Sequence, residues 1–381
     1  MKIAQVCPYR FNVPGGVREH VRCLTAELRQ RGHKVTIISP GHGLRRVGSQ
    51  HLYLGRAVKV PTTNKSWAHV SIYLDSSREP LSQLLRSYDF DIIHFHAPLS
   101  PFLCWQILQV SKVINVATFH SEWRITESLV ADSLDFLLRP LLPKFKEKLN
   151  GVIAVSQAAR RSWDDFFGQS LHEKIIPNGV DLKRFSSNVA PLKVFGEKPT
   201  VLFVGRVEKR KGLPYLLKAF KKLQKKLDEA RLVVVGSGPL LPQAKVWVKA
   251  QGLARKVFFA GRVSDEELPA YYTGADVYCS PAIGGESFGI VLLEAMASGT
   301  PLTVFNNPGY QEVLQDCPAE SVLVPCEDTA ALCKSLEEIL KDKQLREEIR
   351  QWGLAEVQKY TWPKIAGQVE KFYEGVLNGS V

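Results

Sequence analysis

Short apolar runs alternate with amphipathic segments along most of the chain. Residues 3–7 are apolar except for Gln5 and predict a buried strand, and residues 17–31 carry apolar side chains at helical spacing before Gly32. A second apolar run follows at residues 35–39, so the chain opens as strand, glycine-bearing turn, helix and strand. Strands that alternate with helices in this way predict an α/β fold with a parallel, doubly wound sheet.

The same alternation restarts after a polar, irregular segment at residues 178–199, which is the best candidate for a linker. The 381 residues also exceed the length of one typical core. We therefore predict a first domain at residues 1–185 and a second at 186–363. A C-terminal helix at about 364–381 is expected to pack back on the first domain.

A glycine-bearing loop at residues 284–289 leads into a predicted helix. Ser287 is expected to cap the N-terminus of this helix, and Gly299 to end it in the left-handed conformation. The free backbone N–H groups at such a terminus bind phosphate. Glu286 in the loop and Glu294, about two turns into the helix, can accept hydrogen bonds from sugar hydroxyls. Phosphate beside sugar hydroxyls indicates a nucleotide sugar, although an ordinary strand–loop–helix with two solvated glutamates explains the stretch equally well.

Cations cluster in the loop after the predicted strand at residues 200–205. Arg206 and Lys211 can neutralise a departing diphosphate. In the first domain, Gly15 and Gly16 precede a helix and permit close approach of a ligand to the backbone. A tight turn accounts for that glycine pair just as well.

Composition and charge exclude only a few classes of function and partner. The chain is 45% apolar and has no apolar run long enough to span a membrane. Its N-terminus has no signal-peptide pattern, so a cytoplasmic protein is expected. Its seven cysteines lack metal-binding spacing and are expected to be reduced core residues. The net charge of +12 favours anionic ligands. No nucleic-acid-binding motif is present, so nucleic acid is not expected as a partner.

Three histidines lie near predicted strand ends, namely His94, His96 and His120. We expect His94 and His96 to point to opposite faces of the sheet and therefore not to chelate one metal. No carboxylate pair stands at a strand end where it would hold a divalent ion, so no metal is expected. No cofactor is expected either. His120 ends a strand at the ligand-binding edge, where a polar strand end is a commoner explanation than catalysis.

Together these residues resemble the retaining glycosyltransferases of family 4. That family has the GT-B fold, with two facing Rossmann-like domains and the active site in the interdomain cleft. The resemblance spans the chain, and its most specific feature is the Glu-x7-Glu motif of Glu286 and Glu294. The other matching segments are Gly15-Gly16, His120, 176–181, Gly205-Arg206, 210–212 and 286–290. Residues 7–9, 13–17, 117–120 and 284–291 resemble bacterial phosphatidylinositol mannosyltransferases in particular.

The resemblance implies roles for individual residues around a GDP- or UDP-sugar donor. Its catalytic set is His120, Glu286, Arg206 and Lys211. The donor-binding residues it implies are Gly15 and Gly16 with Arg206, Arg210 and Lys211 at the diphosphate, Val263, Ser264 and Asp265 at the base, Glu286, Ser287, Phe288, Gly289 and Ile290 at the sugar and phosphate, and Glu294 at the ribose. On the acceptor side it implies Tyr9, Arg18 and Asn64.

The implied reaction is metal-independent transfer of a mannose- or glucose-type hexose to an acceptor hydroxyl, forming an α-glycosidic bond. The mannosyltransferases carry arginines in the loop that corresponds to residues 64–71, and this chain has none there. Arg18 also replaces a glutamine. The acceptor is therefore left open between a lipid or glycolipid, which implies peripheral association with anionic lipid on the inner face of the cell membrane, and a soluble disaccharide or polysaccharide.

A non-catalytic protein that binds nucleotide sugars is a third alternative. It is disfavoured because a protein that only binds has no need to retain both glutamates together with Arg206 and Lys211.

Overall fold

The computed structural model describes residues 1–11, 15–41, 45–47, 50–61, 67–72, 78–98, 103–120, 142–168, 172–194 and 196–380. The chain divides into two compact units. The first contains residues 1–178 and 362–381, and the second contains residues 179–361. Residues 179–185, which the sequence pattern assigns to the first domain, belong to the second unit. Asn64 and residues 121–141 lie outside the described residues.

The first unit is built on a sheet that has nine strands among the described residues. Its strands are β1 (Lys2–Val6), β2 (Lys34–Gly41), β3 (Arg45–Val47), β4 (His51–Pro61), β5 (Trp67–Ile72), β6 (Ile92–His96), β7 (Ile114–Phe119), β8 (Gly151–Ala154) and β9 (Glu173–Ile175). Its helices before residue 178 are α1 (Gly16–Gln30), α2 (Arg78–Tyr88), α3 (Leu103–Val110), α4 (Leu142–Lys146) and α5 (Gln157–Phe167).

The strand order of this sheet is β3-β4-β2-β1-β6-β7-β8-β9, with β5 paired to β4. Strand β1 runs parallel to both β2 and β6. The order of the strands therefore reverses beside β1, and ligands of open α/β sheets bind at the carboxyl ends of the strands at such a point. Gly15 precedes α1 and Gly16 begins it there, and His120 follows β7.

The second unit contains a parallel sheet of six strands among the described residues. They are β10 (Thr200–Val204), β11 (Arg231–Val235), β12 (Val257–Gly261), β13 (Val277–Ser280), β14 (Leu302–Phe305) and β15 (Leu323–Val324). The helices are α6 (Leu213–Gln224), α7 (Leu241–Ala250), α8 (Leu268–Thr273), α9 (Ile290–Ala297), α10 (Pro308–Leu314), α11 (Thr329–Lys341) and α12 (Lys343–Glu356).

The second sheet has the order β12-β11-β10-β13-β14-β15. In chain order this is 3-2-1-4-5-6, the strand order of dinucleotide-binding folds, whose switch point lies between the first and fourth strands. The loops that follow β10 and β13 therefore meet at the ligand-binding edge. These loops carry the cation cluster and Glu286, respectively.

The C-terminal helix α13 (Trp362–Leu377) belongs to the first unit. Its apolar face is buried with β1, β6 and α1, and the helix contributes Ile365, Val369 and Phe372 to that core. Gly151 of β8 has no side chain, and a Cβ there would lie 2.8 Å from the ring of Phe372. Among the described residues, no helix combines the length and apolarity that a membrane span requires.

Candidate active site

The loop after β10 ends at a glycine that no other residue can replace without strain. Residues Lys209–Lys211 form one turn of 3-10 helix that ends at Gly212, where φ is 72°. A Cβ at Gly212 would lie 1.7 Å from the carbonyl oxygen of Pro281. The amide of Ile283 also donates to the carbonyl of Arg210 at 2.9 Å. The loops after β10 and β13 are therefore fixed against each other through backbone contacts.

Glu286 lies inside this contact between the loops, with only 8% of its surface exposed. Its Oε1 atom lies 2.6 Å from Nη1 of Arg210 and 2.6 Å from Nζ of Lys211. Its backbone is equally confined, because a Cβ on Gly309 would lie 2.0 Å from the Glu286 carbonyl oxygen. The structure thus brings together three of the residues implied by the family resemblance and places two cations on one carboxylate.

Glu208 is a further member of the cluster, and the sequence did not single it out. It is 7% exposed. Its Oε1 lies 2.6 Å from Nε of Arg210, and its Oε2 lies 3.4 Å from Nη2 of Arg206. The carboxylate therefore links the two arginines, while about half of the Arg206 side chain (49%) stays exposed. The sequence signal that could have identified Glu208 is that it is the one acidic residue within a run of cations.

The N-terminus of α9 differs from the sequence prediction. The helix begins at Ile290, its N-cap is Gly289 with φ at 93°, and no side chain caps it. The prediction that Ser287 caps this helix was wrong, because two further non-helical residues follow the serine. A Cβ at Gly289 would lie 2.6 Å from the ring of Tyr310, so the position requires glycine. Gly299, with φ at 67°, follows the helix in the predicted left-handed conformation.

Other residues implied by the resemblance lie elsewhere in the second unit. Glu294 of α9 accepts a hydrogen bond from the buried Tyr272 hydroxyl at 2.8 Å. Burial and then the nearby Glu294 charge raise the Tyr272 pKa well above its ordinary value, so the hydroxyl remains a donor. Val263, Ser264 and Asp265 form the loop after β12, with Ser264 and Asp265 exposed. Phe288 is buried in contact with the ring of Tyr360, 5.7 Å between centroids.

In the first unit, Gly15 and Gly16 stand at the start of the 15-residue helix α1. Gly15 has an extended φ of 176°, and nothing lies within 4 Å of a Cβ built there. Neither backbone strain nor packing within the described residues therefore requires glycine at this position. Arg18 of α1 donates to the carbonyl of Phe11 at 3.4 Å, and Tyr9 is partly buried after β1.

The histidines at the strand ends form one cluster. The prediction that His94 and His96 point to opposite faces was wrong, because residues two apart on a strand share a face. Their ring centroids are 4.3 Å apart. Nδ1 of His96 lies 3.0 Å from Nε2 of His120, and Nδ1 of His20 lies 2.9 Å from Oδ1 of Asn178.

Burial is the main cause that keeps these imidazoles neutral. It lowers the pKa values of His94, His96 and His120 well below the ordinary value, and that of His20 to about 4. Ligand nitrogens of His20, His96 and His120 lie within 4.8 Å of one another, which is compatible with a metal. Hydrogen bonds already occupy both nitrogens of His96, however.

Two family models cover most of the chain. The model described as Glycosyltransferase Family 4 matches residues 14–184, and the model described as Glycosyl transferases group 1 matches residues 186–354. A phosphatidyl-myo-inositol mannosyltransferase of Mycobacterium leprae is 38% identical over 99% of this chain and 97% of that protein. The corresponding protein of Mycolicibacterium smegmatis is 37% identical, with 100% of this chain and 95% of that protein covered.

Solved structures agree on the fold. A sucrose-phosphate synthase from Thermosynechococcus elongatus superposes with a TM-score of 0.77 at 23% identity, covering 100% of both chains. The Anabaena protein HepE, solved with UDP and glucose, has a TM-score of 0.78 at 16% identity, covering 98% of this chain and 100% of that chain. With two Rossmann-like units, the first on a mostly parallel sheet with antiparallel β3 and β5 and the second on a parallel sheet, the fold is GT-B. The chain belongs to the glycosyltransferases of family 4.

Proposed function

We propose that this glycosyltransferase moves a mannose- or glucose-type hexose from a nucleoside diphosphate sugar to a hydroxyl of a lipid or glycolipid, with retention and without a metal ion. The observation that carries the proposal is the cation cluster around Glu286 at the switch point of the second sheet. Cations held in place before the reaction stabilise a departing diphosphate without having to reorganise. GDP and UDP are the two candidate nucleotides.

The cluster supplies the electrostatic part of the reaction. Arg206, half exposed beside Glu208, and Lys211 contact the diphosphate, and the uncapped N-terminus of α9 adds its backbone N–H groups. As the bond between the sugar C1 and the diphosphate oxygen breaks, negative charge grows on that oxygen. The acceptor oxygen bonds to C1 on the same face, and its proton passes to the diphosphate.

Glu286 has a second task in this proposal. Paired with Arg210 and Lys211, its carboxylate is anchored and still has a second oxygen, which can accept hydrogen bonds from the hexose hydroxyls. The negative charge of Glu286 also offsets part of the positive charge of Arg210 and Lys211, which weakens their attraction for a diphosphate. Loss of this carboxylate should therefore impair sugar transfer much more than it impairs diphosphate binding.

The lipid acceptor is supported by the relatives. The mannosyltransferases are named for phosphatidyl-myo-inositol. Another relative is an alpha-monoglucosyldiacylglycerol synthase of Streptococcus pneumoniae, which is 26% identical over 83% of this chain and 74% of that protein. Two of the basic residues at 142–148, which could be considered as a contact with anionic lipid, are instead engaged within the first unit. Phe145 is buried in the core, while Lys146 and Lys148 donate to carbonyls at the ends of α5 and α3.

Thermal-shift screening followed by transfer assays tests the proposal. GDP, UDP and ADP, each with its hexose derivatives, are compared, because a ligand that binds the folded state raises the Tm. The donor found is then incubated with phosphatidylinositol in mixed micelles, with diacylglycerol and with soluble glycans, with EDTA present throughout. Lipid-dependent release of the nucleoside diphosphate supports the proposal. Transfer to soluble glycans alone, or only with added metal, would contradict it.

Replacement of Glu286 by glutamine tests the assignment of the site. We expect transfer to fall by about 100-fold or more, since preorganised polar groups contribute on this scale. Nucleoside diphosphate affinity should stay the same or increase, because a carboxylate that repels the diphosphate is lost. Calorimetric titration measures the affinity. The control Glu197→Gln changes an exposed glutamate paired with Lys193 and should leave both quantities unchanged. Undiminished transfer in Glu286→Gln would refute the assignment.

A further inference from the structure

Glu208 is a buried carboxylate among the cations of the loop after β10, and the reaction as proposed gives it no task. It stands between two arginines, with its Oε1 2.6 Å from Nε of Arg210 and its Oε2 3.4 Å from Nη2 of Arg206. A carboxylate removed from water is costly even when it is paired, and a carboxylate near a diphosphate also repels it. Tight binding of a diphosphate therefore does not explain Glu208, and another requirement must.

The first effect of Glu208 is on the orientation of Arg210. Nη1 of Arg210 donates to Oε1 of Glu286 at 2.6 Å and to the carbonyl of Gly285 at 3.1 Å, while its Nε faces Glu208. The guanidinium is thus held by the protein on two sides, and it connects the loop after β10 to the loop after β13. In this position Arg210 anchors the carboxylate that accepts hydrogen bonds from the hexose in the proposed reaction.

The second effect of Glu208 is on the net charge of the cluster. Three cations, Arg206, Arg210 and Lys211, are opposed by the two carboxylates of Glu208 and Glu286, which leaves a net charge of +1 (three minus two). Without the charge of Glu208 the cluster would carry +2 (three minus one). Because charges a few ångströms apart interact strongly in a partly buried site, this difference changes the attraction for a bound anion.

The net charge of the cluster acts differently on the donor and on the product. Both phosphates of a nucleoside diphosphate sugar are esterified, and each carries one negative charge. The released nucleoside diphosphate has a free terminal phosphate, whose second pKa of about 6 gives it a further negative charge at pH 7. Excess positive charge therefore favours the product over the donor, and a product that leaves slowly limits turnover.

We propose that Glu208 is a positioning residue that holds Arg210 on the loop of Glu286, and that its charge keeps the site from retaining the nucleoside diphosphate product. The proposal rests on the proposed function, because only a chain that cleaves a nucleotide sugar has this product to release. A role in stability alone would lower the affinity for donor and product together. In the proposed role, loss of the charge instead strengthens product binding and slows turnover.

The variant Glu208→Gln removes the charge but keeps the length of the side chain and an oxygen that can accept from Arg210. GDP with GDP-mannose and UDP with UDP-glucose are titrated by calorimetry without acceptor. We expect the affinity for the diphosphate to increase by about threefold to tenfold and that for the sugar donor to increase less. The kcat should fall by a similar factor, and rapid mixing with acceptor should show a burst of product in the first turnover, because release has become slow.

The variant Glu208→Asp separates the two effects. It keeps the charge but shortens the side chain, so the guanidinium of Arg210 is held less well. We expect the affinity for the nucleoside diphosphate to stay as in the wild type, whereas kcat falls without a burst, because the anchor of Glu286 is loosened.

Glu173→Gln is the matched control for the loss of a buried carboxylate. The Glu173 side chain in the first unit is 8% exposed, against 9% for Glu208, and it pairs with Arg160 at 3.3 Å. This variant should lower the Tm but leave nucleotide affinity and kcat as in the wild type.

Two results would overturn the proposal while leaving the proposed function intact. One is a product affinity in Glu208→Gln that is unchanged, weaker, or raised no more than the donor affinity. The other is tighter product binding with neither a burst nor a lower kcat. If neither GDP nor UDP binds the wild type, the proposed function fails and the role of Glu208 fails with it.

Discussion

Arg206 and Lys209 are cations of the same loop in different surroundings. Arg206 is tied to the buried Glu208 at 3.4 Å, whereas Lys209 is exposed in the 3-10 turn. We expect Arg206→Ala to weaken nucleoside diphosphate binding by 10- to 100-fold, since hydrogen bonds to charged groups contribute about 1.5–3 kcal/mol. Calorimetry measures this, and Lys209→Ala serves as the control for general loss of positive charge. Equal losses in the two variants would assign the effect to net charge rather than to an oriented arginine.

At the scale of elements, a comparison of Gly212 and Gly252 separates the cost of backbone strain from the cost of a steric clash when alanine replaces glycine. Both have φ at 72°, but a Cβ at Gly212 would strike the Pro281 carbonyl, whereas nothing lies within 4 Å of a Cβ at Gly252. Gly252→Ala should lower the free energy of unfolding by about 1 kcal/mol through backbone strain alone. Gly212→Ala should cost clearly more and also weaken nucleotide binding, because it separates the loops after β10 and β13.

Urea unfolding together with nucleotide titration measures both effects of these alanine variants. If Gly212→Ala costs no more than Gly252→Ala, the contact between the two loops does not depend on the glycine.

The strand–loop–helix units themselves were predictable from sequence. The apolar run at residues 200–205 placed Arg206 and Lys211 after β10, and the run that ends at Pro281 placed Glu286 after β13. The pairing of Glu208 was not predictable, because it depends on how the loop and its 3-10 turn direct Arg206 and Arg210. The hydrogen bond between Gln5 and Tyr373 could not be predicted from sequence either, since the two residues meet only when α13 packs in the first unit. The error over His94 and His96 was one of strand geometry, and Ser287 shows that a good capping residue need not cap.

For the whole molecule, the distribution of histidines separates the two units. All nine lie at or before residue 172, so the second unit, residues 179–361, contains none. In the folded first unit, burial lowers the pKa values of His20 and His51 to about 4 and those of His94, His96 and His120 well below 6.5. A fall in pH from 7 towards 5 should therefore act mainly on the first unit.

The sign of the effect follows from which state binds protons first. Because the unfolded histidines titrate near pH 6.5, their protonation favours unfolding below that pH. The stability contributed by the neutral imidazoles is complete above about pH 6.5 and is lost progressively down to about pH 4, at up to about 1.4 kcal/mol per pH unit for each histidine. Hydrogen exchange corrected for intrinsic rates, at pH 7.0 and 5.5, should show protection decreasing in β1, β6 and β7 but not in β10 and β13. Equal loss in both sheets would instead indicate titrating carboxylates common to both units.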